Sequence, residues 1–184
     1  MKKTVLTFGL ISAAVSSILM LLTVPFMDRI GFDKGEIVGY TAIVASFLPV
    51  YFGIRSYREQ VNGGVLTFGR GVSVGLLITL ISCVGYVATW QVIYFKLAPD
   101  FMEKYSAYAV ERARASGASQ ASIDEKLQQM KAFKELYDRP LLNAAITLIE
   151  PFPVGLLVTL VSAAALRKRP ASPVVPAPAR QTAS

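Results

Sequence analysis

Four apolar runs separated by polar segments set the class of this protein. They span about residues 4–27, 37–57, 72–95 and 141–166. An α-helix rises ~1.5 Å per residue, so roughly 20 apolar residues cross a hydrocarbon core of about 30 Å. Each run reaches that length. A helix also satisfies its own backbone hydrogen bonds, which lipid cannot do. The pattern therefore predicts an all-α integral membrane four-helix bundle over residues 1–169, with residues 170–184 as a disordered Pro/Ala-rich tail. Lys2 and Lys3 ahead of the first run, with Ser12, Ala13 and Ala14 inside it, look like a secretory signal. Cleavage there would leave a stub too short to span, so an uncleaved helix is expected.

Between the third and fourth runs lies the one long polar segment, 96–140. It carries two apolar stripes at helical spacing. The first is Phe101, Met102, Tyr105, Tyr108 and Ala109; the second is Ile123, Leu127, Met130, Phe133 and Tyr137. Pro99 suits a first helical turn, Gly117 a stop, and Ser119 or Ser122 a restart, with Ser122 and Glu125 spaced as a capping box. A helical hairpin over 99–138 is expected. Its stripes have three destinations open to them: each other, the lipid surface, or a partner.

Small residues recur every fourth position on the spans: Gly9, Ala13 and Ser17; Gly71, Gly75, Thr79 and Cys83; Gly155, Thr159 and Ala163. Such faces let helix backbones approach closely. Pro49 is expected to kink the second span near its far end. Tyr86, Trp90, Tyr94 and Phe95 gather toward one end of the third span, as an interfacial aromatic belt does. Asn62, Gly63 and Gly64 mark a compact turn, with Val65, Leu66 and Phe68 expected to dip into lipid.

Charge adds orientation. The N-terminus, the 55–70 loop and the C-terminus hold nine Lys and Arg, against two in the 28–36 connection. The positive-inside rule places both termini in the cytoplasm and 96–140 outside. The net charge of +7 follows from that distribution, so nucleic acid is not needed to explain it.

Candidate chemistry is sparse. The chain has no His and a single cysteine, Cys83. That excludes intrachain disulfides, Cys/His zinc sites and His-dependent hydrolytic triads. No catalytic, cofactor or metal residue is assigned, and no enzyme activity is expected. A loop over Gly64–Gly71 superficially matches a phosphate-binding motif but has Arg70 for Lys and Gly71 for the hydroxyl residue. The informative anomaly is Glu150, followed by Pro151 and Pro153, inside the fourth apolar run. A carboxylate there must be neutral, paired or wet, unless the span begins late enough to leave it at the interface. Arg29 is one base that could pair with it. Glu150, Pro151, Pro153, Tyr40, Tyr86 and Gln91 are the candidate intramembrane polar site.

The segments Gly35–Glu59 (GEIVGYTAIVASFLPVYFGIRSYRE), Gly63–Ile81 (GGVLTFGRGVSVGLLITLI), APDFMEKYSAY, RASGAS and PFPVGLLVTLVSAAALRK are together similar to the bacterial four-helix membrane family catalogued as domain of unknown function 4199. The resemblance covers roughly residues 1–169. It implies a multi-pass protein of the bacterial cytoplasmic (inner) membrane whose hairpin faces the periplasm, and brings no catalytic residue or ligand. Two functions fit these observations. One is a non-enzymatic scaffold or partner-binding protein of the envelope, with the lipid bilayer as its medium and a second copy or an envelope protein held through 96–140. The alternative is a small transporter or oligomeric channel using Glu150.

Overall fold

A computed structural model describes residues 1–168; Arg169 and the 170–184 tail lie outside the described residues. Among these residues the regular elements are all helices, joined by short turns, and one isolated antiparallel bridge links Leu66 and Lys168. Helix α1 (Lys2–Thr23) continues through a tight turn to Phe26, and a short α2 (Met27–Ile30) leads to Gly31, whose φ of 79° reverses the chain. The second span is two helices, α3 (Phe32–Ser46) and α4 (Leu48–Ser56). Helix α5 (Phe68–Val92) forms the third, α6 (Phe101–Ala115) and α7 (Gln120–Tyr137) follow, and α8 (Pro140–Leu148) and α9 (Pro151–Leu166) complete the fourth. With their terminal turns, Lys2–Phe26, Phe32–Val61, Phe68–Leu97 and Pro140–Leu166 are each long and apolar enough to cross a membrane. Leu6, Leu10, Ile18, Val84 and Leu157 point outward from them, as lipid-facing residues should.

Helix α5 is the packing centre, and it uses two different small-residue seams. Against α1, which runs parallel to it, a Cβ added at Gly9 would stand 2.8 Å from Ile81, and one at Gly85 would stand 2.5 Å from the Ala13 Cβ. One turn on, Ser17 and Thr89 share a hydrogen bond of 2.7 Å. Against α9, which runs antiparallel, Gly71 meets Ala163, Gly75 meets Thr159, and Gly155 meets Thr79. The Thr79 and Thr159 hydroxyls lie 3.1 Å apart. Lipid gives apolar side chains no reason to leave it, so close backbone approach and interhelical hydrogen bonds hold these pairs together. Val50, Ile54, Val74 and Ile78, all at 0% exposure, fill the space where α4 packs on α5.

Both α3–α4 and α8–α9 are interrupted by proline. Pro49 has no N–H for the Ala45 carbonyl, and the Val50 N–H turns to Phe47 O at 3.0 Å, deserting Ser46 O. The Ser12 hydroxyl fills that vacancy, donating to Ser46 O at 2.5 Å, and lies 2.8 Å from the Ser82 hydroxyl. The expected bend is thus a break at Phe47, midway along the span rather than near its far end. In the fourth span, Pro151 cannot donate to Thr147 O, and the Glu150 N–H takes that acceptor at 3.4 Å.

Two local expectations change. Leu66 is 1% exposed, not in lipid, because its N–H and C=O exchange 2.8 Å bonds with Lys168 and draw it into the core. The second helix of the 96–140 segment is capped by Ser119, whose hydroxyl accepts the Ser122 N–H at 3.3 Å. Glu125 accepts from Gln129 instead of closing a box with Ser122.

Neighbouring positions on α5 differ sharply in what they can accept. Gly85→Leu drives its side chain into Ala13 Cβ and backbone, whereas Val84→Leu points outward. Thermal stability in lipid nanodiscs should fall by about 2 kcal/mol or more for the first and by under ~0.5 kcal/mol for the second.

Candidate functional site

The polar segment builds a roof over one end of the bundle. Helices α6 and α7 lie against each other, joined by a turn at Gly117 with φ of 78°. Their aromatic stripes do not close only on themselves. Phe32, at the start of α3, is ringed by Phe101, Tyr105 and Tyr108 of α6 at 5.9, 5.6 and 5.1 Å. Phe101 also meets Trp90 of α5 edge-on at 5.0 Å. The sequence left these stripes three destinations, each other, lipid or a partner; α6 and α7 do pack together, and Phe32, Trp90 and Tyr94 at the span ends also receive Phe101, Tyr105, Tyr108 and Tyr137.

A polar network anchors the roof at its far corner. The Trp90 indole N–H donates to the Tyr137 hydroxyl at 2.9 Å, which lies 3.2 Å from the Thr147 hydroxyl. Asn143, wholly buried, donates to Tyr137 O at 3.1 Å and accepts from Gln91 at 2.8 Å. Tyr94 donates to Asp138 at 2.6 Å. That bond and Lys134 together hold the Asp138 carboxyl below the usual carboxylate range, while burial pushes the Tyr137 phenol up. At the other corner, Asp33 accepts from the Tyr108 hydroxyl and pairs with Arg112 at 3.3 Å.

Under the roof the adjoining half of span two, α3, stands off from α5 and leaves a cavity of about 420 Å³. Its walls come from α1 (Ser16, Met20), α3 (Glu36, Gly39, Tyr40), α5 (Tyr86, Trp90), the helix pair (Met102, Tyr105) and Glu150. Apolar and aromatic groups dominate. Among the described residues the charged side chains on the lining are Glu36, Glu150 and Arg112, the last already paired with Asp33. Space beside Gly39 is open: a Cβ added there would have nothing within 4 Å.

Glu150 sits about 15 Å along the apolar helical stretch Pro140–Leu166 from its start at Pro140. It occupies the N-cap position of α9, yet its side chain caps no amide. Its hydrogen bond comes from the Tyr86 hydroxyl at 3.1 Å, and Arg29 is not its partner. Tyr40 joins Glu150 and Tyr86 on the cavity wall. Gln91 does not; it bonds Asn143 and Pro140 O between α5 and α8. Pro151 is buried packing, and with Pro153 it shapes the break that carries Glu150. Sequence reasoning missed Phe32, Glu36, Gly39 and Asn143. Asn143 inside an apolar run was the one legible signal among them, since buried amides need partners. Among the described residues no three His, Cys, Asp or Glu side chains converge as a metal site would require.

Removing the Tyr137 hydroxyl leaves the Trp90 N–H without its acceptor. Tyr137→Phe should cost about 1–3 kcal/mol in thermal unfolding, and Thr147→Val, which spares the indole bond, should cost less.

A family model described as Protein of unknown function (DUF4199) matches residues 7–168, so the chain belongs to that family. Neither the curated proteins nor the solved structures contain a match to it.

Proposed function

Starting from that family membership, we propose that the protein is a non-enzymatic, multi-pass membrane binding protein whose working part is the cavity beneath the helix pair. The observation that carries this reading is the cavity itself: about 420 Å³, in the size range of small-molecule sites, mostly apolar and edged by a few polar groups. The inward commitment of both aromatic stripes supports a ligand over a protein partner. A protein docking through 96–140, or a second copy of the chain, would meet the exposed, charged outer face of α6 and α7 (Glu103, Glu111, Arg114, Asp124, Lys131, Glu135). The non-enzymatic assignment rests on composition, chiefly the lack of His and the single Cys83.

The distribution of Lys and Arg supports termini in the cytoplasm of a bacterial cell and an extracytoplasmic helical hairpin, α6–α7, on the far side of the inner membrane. A small transporter is the second reading. What favours it is Glu150 facing the cavity beside a proline break, with the second span broken by Pro49 as well, since discontinuous helices line transport sites in many carriers.

Sidedness is checked in a Cys83→Ala background. Ser116→Cys should react with an impermeant maleimide added outside intact cells, and Gln60→Cys should react only after lysis; the reverse pattern would invert the assignment.

Binding is checked through Trp90, the single tryptophan of the chain and a cavity residue. Dodecanol titrated into nanodisc-embedded protein should shift Trp90 emission saturably. Gly39→Phe, which projects a ring into open space, should weaken that response at least about 10-fold while leaving thermal stability intact. An unchanged response in Gly39→Phe would remove the cavity as the site. Protein-dependent passage of the probe across sealed vesicles, in addition to binding, would favour the transporter.

A further inference from the structure

We propose that the cavity takes an amphiphilic organic ammonium: an apolar body on the aromatic and aliphatic walls, with a single cationic nitrogen seated at Glu150. The inference rests on the cavity-binding reading above and adds the ligand class.

Three observations converge on it. The first is the unspent carboxylate. Among the described residues Glu150 has neither a salt bridge nor a capped amide, and the neutral Tyr86 hydroxyl is its hydrogen-bond partner at 3.1 Å. Pro151 and Pro153 cannot donate to it, because neither has an N–H. An acid kept within a span is costly, and a counter-charge arriving with the ligand offsets that cost. The second is the sign of the lining. Glu36 and Glu150 stand against Arg112, whose guanidinium is already engaged by Asp33 at 3.3 Å and by the Tyr108 hydroxyl at 3.1 Å. Among the described residues the lining thus carries two carboxylates against one cation that is already paired. The third is the wall around the carboxylate. Tyr40, Tyr86 and Trp90 share the cavity with it, and aromatic faces attract a desolvated cation.

An inorganic cation fits less well. Calcium takes roughly six to eight oxygen ligands and magnesium demands near-ideal octahedral geometry, whereas Glu150 and the Tyr86 hydroxyl supply few. An anionic amphiphile would place its head against two carboxylates.

The test compares three probes with one chain length, dodecylammonium, dodecanol and dodecyl sulfate, each titrated into nanodisc-embedded full-length protein with Trp90 emission as the readout. Dodecylammonium should bind about 10-fold or more tightly than the other two. Glu150→Gln should bring it down to the dodecanol level while leaving dodecanol binding unchanged. Equal affinity for ammonium and alcohol in the natural protein would overturn the ligand class and leave the cavity reading standing. An ammonium preference that survives Glu150→Gln would likewise remove Glu150 as the seat of the charge. No saturable response to any of the three probes would instead defeat the cavity reading on which the proposal rests. The headgroup comparison in the natural protein decides the class even if Glu150→Gln fails to fold.

Discussion

The close contact of α5 with two neighbours is the constraint on which the remaining structure depends. Its Gly85–Thr89 face receives α1 in a parallel register, and its Gly71–Thr79 face receives α9 in an antiparallel one. Dispersion between atoms in van der Waals contact is weak per pair, so it accumulates only where backbones come near enough for many pairs to form. Glycine, alanine and serine permit that approach, and the freed hydroxyls then bond across it. Once α1 and α9 are seated, α4 has one remaining slot, the groove filled by Val50, Ile54 and Phe47. Helix α3, beyond the break at Phe47, has no matching seam on α5. The cavity is the space left by that mismatch.

The helix breaks show how proline is accommodated inside a span. Pro49 costs the second span a donor, and the stranded Ser46 carbonyl is recovered by Ser12 from a neighbouring helix. At the fourth span, the Glu150 amide shortens its reach to Thr147 O, and the chain turns enough to present the carboxylate sideways toward Tyr86. Packing and the proposed site meet at that point. The same prolines that interrupt the helix leave the acid without local amides, so its remaining bonding capacity faces the cavity.

The roof is held differently. In α6 and α7 the stabilising contacts are aromatic edges on Phe32 and Trp90 and a connected set of buried and part-buried hydrogen bonds through Tyr137, Asn143 and Gln91. Buried polar networks contribute fully only when every member is satisfied, and no buried side-chain polar atom lacks a partner among the described residues. The exposed ion pairs on these helices, such as Lys134–Asp138, add little by comparison. The roof therefore docks as a unit on the span ends, at the two corners marked by Asp33 and by Tyr137.

By itself the sequence determined the four spans, the two helices of the polar segment and the anomaly at Glu150. Each of these is local: a run of apolar residues long enough for lipid, a stripe at helical period, or an acid where none is expected. The small-residue faces were also legible, but not their partners. Gly9, Gly75 and Gly155 look alike along the chain, and only the assembled bundle decides that the first meets Ile81, the second Thr159 and the third Thr79. Gln91 and Glu150 were both candidate site residues, yet one is consumed between α5 and α8 while the other faces the cavity. Phe32 carried no signal at all, because its role consists of what stands opposite it. Hydropathy and periodicity are properties of neighbouring residues; a cavity is a property of helices that fail to touch, and tertiary packing alone decides where that happens.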